Sequence, residues 1–355
     1  MNILYGIQTT GNGHISCARH IVHALKSVGH NVTCIFSGTG RSGFWDYSVF
    51  EPFYDRRGLT FVIDDGRLSM LKTALQLKPV QFIQDIRQLD LAAFDVVVSD
   101  FEPISAWAAK LQKKPSISIS HQAAFDYDVP KSPGNYAARA VMRYFAPTQH
   151  RLGLHWHHFG HALLPPVIEP DLFKADVTDP RLILVCLPYE NRQRIIDLLK
   201  KFKDYTFHFY TDTNSIEHDA NVVLHPFGRA SFVHDLQRCN GVVGHAGFEL
   251  GSEALHLGKK LLVRPLAGQF EQECNAVALV KNGLGHATQH INAAALQSFL
   301  QAKNPSPKHY PRVDDAIAHW IGRADLDAPH AHWPLVEALW DTPPALAPTA
   351  RYQAA

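Results

Sequence analysis

The chain has 355 residues, 46% of them hydrophobic and 19% charged, with a formal net charge of +1. That length and apolar share predict two domains with large cores, and the charge balance excludes a dedicated nucleic-acid binder acting through bulk electrostatics. No apolar run is long enough to span a bilayer, the first residues lack the basic and apolar regions of a signal peptide, and five scattered cysteines without a C-x-x-C pair fit free thiols in a reducing, cytoplasmic compartment.

Short apolar runs alternate with helical patterns along the chain. NILYGIQ (2–8) reads as a buried strand; a helix follows with Ile15, Ala18, Ile21, Val22 and Leu25 at helical spacing and Gly29 at its end. NVTCIF (31–36) and DVVVSD (95–100) are predicted strands, ISAWAAKLQ (104–112) a helix and PSISIS (115–120) a strand. This rhythm implies parallel strands with crossover helices. It restarts after the proline-rich LLPPVIEP (163–170), the expected linker, with strand RLILVCL (181–187) and helix NRQRIIDLLKKF (191–202). Strands YTFHFY (205–210), NVVLH (221–225), GVVG (241–244) and KLLVRP (260–265) complete the second set. Past Asp325 one helix is expected, PLVEALW (334–340), and the final TPPALAPTARYQAA reads as disordered. The expected division is 1–165, 166–325 and a C-terminal helix and tail at 326–355, with ligands at strand carboxyl ends in the cleft between two sheets.

Q-T-T-G-N-G-H (8–14) leaves the first strand and opens the first helix, and Gly11 and Gly13 permit a tight turn with close approach of a ligand. It is not a dinucleotide fingerprint: the third glycine is missing, and 32–46 supplies no acidic residue at the end of its strand. His14 is a candidate general base, its pKa expected to be depressed by the helix N-terminus so that it stays neutral. Asp100, at another strand end, is the expected partner that fixes its tautomer. Capping of the next helix is the competing role for Asp100, and capping or acceptor binding the competing role for His14.

G-V-V-G-H-A-G-F-E-L-G-S-E (241–253) carries the second strand-end motif. Gly244 and Gly247 allow close backbone approach, and a helix expected from Gly247 to Leu257 offers free N–H groups and its positive dipole end to a phosphate. His245 adds a donor. Glu253 lies roughly 9 Å further along the axis, the span from a diphosphate to the ribose of one nucleotide, and a carboxylate accepts well from ribose hydroxyls. The next strand ends in RPLAGQFEQECNA (264–276), where Glu271 and Gln272 precede Asn275.

The array H-x-G-x5-E-A-L-x2-G-K-x4-R-P-x5-E-Q-x2-N-A resembles the donor-binding signature of GT-B glycosyltransferases. It is similar to the UDP-dependent glycosyltransferases and, within the family-28 group, to the bacterial enzyme that adds N-acetylglucosamine to lipid I. The resemblance implies an α/β protein of GT-B fold, with two Rossmann-like parallel-sheet domains facing a central cleft. It implies that His245 and the amides near Gly247 hold the diphosphate, Glu253 the ribose, and Glu271 and Gln272 the sugar. Ser252 and Asn275 count with the same donor residues, and Phe232 and Val233, in FGRASFVHDL (227–236), would flank the base. On the acceptor side it points to the loop of Gly11, Asn12 and Gly13 and to His121 and Gln122. It pairs His14 with Asp100 as catalytic base and partner. The sequence departs from the family at Leu250, where plant relatives carry serine, at Glu271, where aspartate is common, and at CLPYENR (186–192), which offers Asn191 and Arg192 in place of Gly-Ser.

Other motifs are set aside. HRLGLHWHHFGH (150–161) is read as a histidine-rich strand, since no carboxylate or thiol joins it. D-Y-D (126–128), which follows a strand, and D-L-D (325–327) mimic a metal-binding D-x-D, but the two-domain rhythm and the donor motif elsewhere speak against that role. Glu249 and Glu253 do not match the spacing of retaining GT-B enzymes, which favours inversion. The Arg- and Tyr-bearing stretch 133–151 is either an ordinary amphipathic helix or an interfacial one. The expectation is an inverting, metal-independent hexosyltransferase that uses a UDP-sugar and an unspecified acceptor, without cofactor or nucleic acid, and with peripheral membrane association if the acceptor is a lipid. The rival readings are a UDP-N-acetylglucosamine 2-epimerase-like enzyme and a non-catalytic nucleotide-sugar-binding protein.

Overall fold

A computed structural model describes residues 1–10, 13–38, 47–59, 63–64, 67–68, 78–134, 136–174, 178–328 and 330–344. The first half begins with β1 (Asn2–Gln8), α1 (Gly13–Ser27), β2 (Asn31–Ser37) and β3 (Phe53–Arg56), then a small hairpin of β4 (Ile63–Asp64) and β5 (Arg67–Leu68). It continues through α2 (Pro79–Gln88), β6 (Val96–Asp100), α3 (Pro103–Gln112), β7 (Ser116–Ser120), α4 (Tyr136–Tyr144), β8 (His150–Leu154) and β9 (Leu163–Leu164). The second half runs β10 (Leu182–Cys186), α5 (Arg192–Leu199), β11 (Thr206–Tyr210), β12 (Glu217–Asp219), β13 (Val222–His225), α6 (Arg229–Arg238) and β14 (Gly241–His245). It ends with α7 (Phe248–His256), β15 (Lys260–Arg264), α8 (Phe270–Lys281), β16 (His286–Ala287), α9 (Ala293–Gln301), α10 (Val313–Ile321) and α11 (Trp333–Leu339).

One seven-stranded sheet has the order β3-β2-β1-β6-β7-β8-β9, the other β12-β13-β11-β10-β14-β15-β16. Within these two sheets, among the described residues, all pairings are parallel except β12 with β13. The central strands are continuous apolar runs because helices cover both faces: Val96, Val97 and Val98 of β6 are fully buried, as are Ile183, Leu184 and Val185 of β10. In each sheet the chain works outward from the central strand and then returns to its other side. The switch points fall between β1 and β6 and between β10 and β14, where a crevice opens at the strand carboxyl ends.

Leu163 and Leu164, expected in the linker, extend the first sheet as β9. The histidine-rich strand stops at Leu154: His155, His157 and His158 lie in a turn, and each Nδ1 accepts a backbone N–H, from Trp156, Phe159 and Gly160 at 2.8, 2.8 and 2.9 Å. The expected C-terminal helix is α11. The segment 345–355, expected to be disordered, lies outside the described residues. Helix α10 packs against α1, so the chain returns to the first half before it ends.

Candidate active site

β1 delivers α1, whose second residue is His14, and β6 ends on Asp100, the register partner of Ile7. His14 Nδ1 lies 2.8 Å from Asp100 Oδ1. Asp100 does not cap α3. Glu102 does, accepting from the Ile104 and Ser105 N–H groups at 2.7 Å each and from the Ser37 hydroxyl at 2.6 Å. Asp100 is thereby left to His14, its Oδ2 buried without a hydrogen-bond partner among the described residues. The next residue, Phe101, has φ of 54°, a left-handed conformation that costs a bulky residue on the order of 1–3 kcal/mol. There its ring lies parallel to the imidazole of His14, with centroids 6.3 Å apart, and packs on Phe145.

The expectation that His14 stays neutral is overturned. Burial lowers its pKa, but the charge and hydrogen bond of Asp100, then the charges of Glu249 and Glu271, outweigh burial and carry it to about 9. Three carboxylates at a helix start override the dipole of that helix. Glu249 stands in the first turn of α7, its carboxylate so close to Gly13 that a Cβ there would meet Oε2 at 2.5 Å. Burial, opposed by His14 and reinforced by Glu271 and Asp100, pushes Glu249 up to about 7. The cleft therefore holds His14 charged at neutrality, while Glu249 titrates there.

Several expected residues join the two halves. Gln122 Nε2 donates to Glu271 Oε2 at 2.8 Å and lies 3.4 Å from His14 Nε2. His121 places Nδ1 2.8 Å from the Leu154 carbonyl and Nε2 2.6 Å from Asn275 Oδ1, and its ring stacks on Phe248 with centroids 3.9 Å apart. Asn275 donates to the Ala246 carbonyl at 2.9 Å. Ser252 accepts from Trp156 Nε1 at 2.8 Å and donates to the Phe248 carbonyl at 2.7 Å. Ser252 and Asn275 are fully buried.

On the donor side, Gly244 packs against Cys186 and Leu250, whereas Gly247, the N-cap of α7, faces open space. His245 Nδ1 lies 3.1 Å from the Arg264 carbonyl, and its Nε2 is buried without a partner. Burial lowers its pKa to about 4, although the Arg264 carbonyl pulls the other way. With Nδ1–H donating to that carbonyl, Nε2 carries a lone pair, so His245 becomes a donor to an anion only by taking up a proton. Glu253 sits one turn past Glu249 and is buried. Burial, opposed by Arg229 and reinforced by Glu249, raises its pKa to about 7.

Gln272 closes the loop before α8, its Oε1 accepting from the Leu266 N–H at 3.0 Å. Phe232 and Val233 are half-buried against the core, Phe232 edge-on to Tyr210. Asn191 caps α5 and Arg192 turns to Glu217, at 2.9 Å. Gly11 and Asn12 lie outside the described residues. Asp126 of the D-Y-D motif is held by Arg151 Nε at 2.5 Å. The sequence reading missed Glu249 and Glu102. An acid in the first turn of the glycine-flanked helix was the available signal for the former.

A family model described as glycosyl transferase family 1 matches residues 1–304. No curated protein matches the chain. Among solved structures, the glycotransferase of kitacinnamycin has a TM-score of 0.58 at 15% identity, covering 84% of this chain and 89% of its own. LpCGTa in complex with UDP has a TM-score of 0.55 at 13% identity, covering 93% and 96%. The glycosyltransferase SsfS6 of Streptomyces sp. SF2575, complexed with thymidine diphosphate, has a TM-score of 0.53 at 15% identity, covering 85% and 89%. These likenesses show the same two-sheet fold.

Proposed function

The chain belongs to glycosyl transferase family 1 and is a GT-B glycosyltransferase, and we propose that it moves a sugar, with inversion and without a catalytic metal, from a UDP-sugar to an acceptor hydroxyl. The acceptor side is residues 1–165, the donor side 166–325. The observation that carries this reading is the His14–Asp100 pair set directly against the N-terminal turn of α7, where Glu249 meets Gly13.

Deprotonated His14 removes the proton of the acceptor hydroxyl as that oxygen bonds to the anomeric carbon and the bond to the nucleoside diphosphate breaks. The leaving charge falls on the open N-terminus of α7 at Gly247, beside His245. Glu253 holds the ribose, Phe232 and Val233 the base, and Glu271 and Gln272 the sugar. His121 and Gln122 shape the acceptor side. Asp126 is tied to Arg151, which supports metal independence. Helix α4 buries none of its residues, and Arg139 and Arg143 lie over Tyr136 and Tyr144, which supports a lipid-surface acceptor. The free cysteines support a cytoplasmic protein.

The test is a melting screen against UDP-, GDP- and dTDP-sugars without metal, followed by a turnover assay. The expected result is a rise in Tm with the uridine nucleotide. His14→Ala should keep that rise and lose turnover by about 10²–10⁴-fold. Because Glu249 and Glu271 are acids of the kind a sugar epimerase uses, the assay also reads isomerised donor. Isomerisation that survives His14→Ala, or no Tm shift with any nucleoside diphosphate, defeats the proposal.

A further inference from the structure

A second cluster of chemically active side chains lies outside the cleft, between the second sheet and α6. His208 on β11 and His225 at the end of β13 project from one face, because β11 and β13 pair in parallel with Tyr210 opposite His225. Asp235, on α6, meets them there. One ligand atom from each of the three lies within 4.8 Å of the others. His208 Nδ1 is 2.7 Å, and His225 Nε2 4.0 Å, from Asp235 Oδ2. Tyr210 donates to the same carboxylate oxygen at 2.8 Å.

Hydrogen bonding within the protein accounts for only part of this arrangement. His225 is 8% exposed, and its Nε2 is buried with no hydrogen-bond partner among the described residues, 4.0 Å from the carboxylate. A buried polar nitrogen left unsatisfied is rare and calls for an occupant. We propose that His208, His225 and Asp235 form a binding site for a zinc-class divalent cation, which fastens α6 to the second sheet.

Two imidazoles and one carboxylate suit zinc or a neighbouring transition metal rather than magnesium or calcium, which favour all-oxygen shells. A tetrahedral zinc with bonds of about 2.0–2.2 Å holds its ligand atoms roughly 3.3–3.5 Å apart. Measured from Asp235 Oδ2, the His208 contact must open and the His225 contact close by less than about an ångström, and the ligand atoms of the two imidazoles, within 4.8 Å of each other, must come to the same separation. The side chain of His208 is 22% exposed, which supplies an access route and a place for a water as fourth ligand. The site is structural and independent of the transfer mechanism. Its effect would reach the donor side through α6, which carries Phe232 and Val233, and through Tyr210, which lies against Phe232.

The test uses the untagged full-length chain, stripped with a chelator and then given zinc or cobalt alone. The expected result is retention of a single equivalent by elemental analysis, visible d–d bands with cobalt, and a Tm several degrees higher at roughly 100 times Kd. His208→Gln and His225→Gln should each abolish all three while circular dichroism still shows a folded protein. Should His225→Gln fail to fold, the partly exposed His208→Gln carries the test. No retained metal, or equal retention in His208→Gln, overturns the proposal and places any binding on other histidines.

Discussion

His14 titrates where three carboxylates place it, and under the proposed mechanism that sets the pH behaviour of the enzyme. The free imidazole must form before it can take a proton, so kcat/KM should rise with pH and level off near 9, the value to which Asp100, Glu249 and Glu271 carry it against burial. Asp100→Asn removes the largest upward influence. It should move the inflection toward acid and lower kcat, and a pH–rate profile of both proteins reads the shift. The same interaction has a stability consequence. The folded pKa lies above the unfolded value of about 6.5, so the pair's contribution is fully present below about pH 6.5 and fades as pH rises through 9. It is smaller than the shift of His14 alone implies, because burial holds Asp100's own carboxyl above its usual range in spite of the imidazolium. Chemical denaturation of His14→Gln against the parent should show a destabilisation on the order of 1–3 kcal/mol near pH 6 that vanishes above about pH 9.

Among the elements, α3 shows how a helix start leaves Asp100 to His14. Pro103 stands at its first position, where no N–H is needed, and Glu102 satisfies the next two N–H groups and Ser37 from full burial. Glu102→Ala strands these groups and should cost about 3 kcal/mol, seen as a lower midpoint in urea with an unchanged slope. The helix itself was legible from its apolar spacing at 104–112, and so were β1, β6, β7, β10 and β14. The cap was not, because Asp is the better N-cap residue, which makes Asp100 the candidate, whereas the helix starts at Pro103 with Glu102 at its N-cap. The turn at 155–161 escaped for a similar reason: its histidines bind local N–H groups, which periodicity does not report.

At the scale of the whole molecule, the halves are joined by polar contacts beside the cleft: Gln122 to Glu271, His121 to Asn275 and Trp156 to Ser252. Helix α10 reaches back to α1, and His30 Nε2 lies 3.4 Å from the Ala318 carbonyl. Trp156→Phe removes a buried donor while Ser252 keeps its bond to Phe248. A loss of about 1 kcal/mol is expected, read as a Tm lower by a few degrees.

The sequence by itself determined the two sets of parallel strands, since strands covered on both faces must be continuous apolar runs, and the glycine- and histidine-bearing loops at their carboxyl ends. It also singled out His14, Asp100, His245 and Glu253 by residue type and spacing. Only the tertiary structure decided what these groups do in the folded chain. The charge of His14 depends on Glu249 and Glu271, more than two hundred residues away. The burial of Ser252 and Asn275 depends on partners from the other half. His208, His225 and Asp235 become one cluster only when β11, β13 and α6 pack together. Desolvation and Coulomb interaction act through space, so they follow the packing of distant segments rather than their order along the chain.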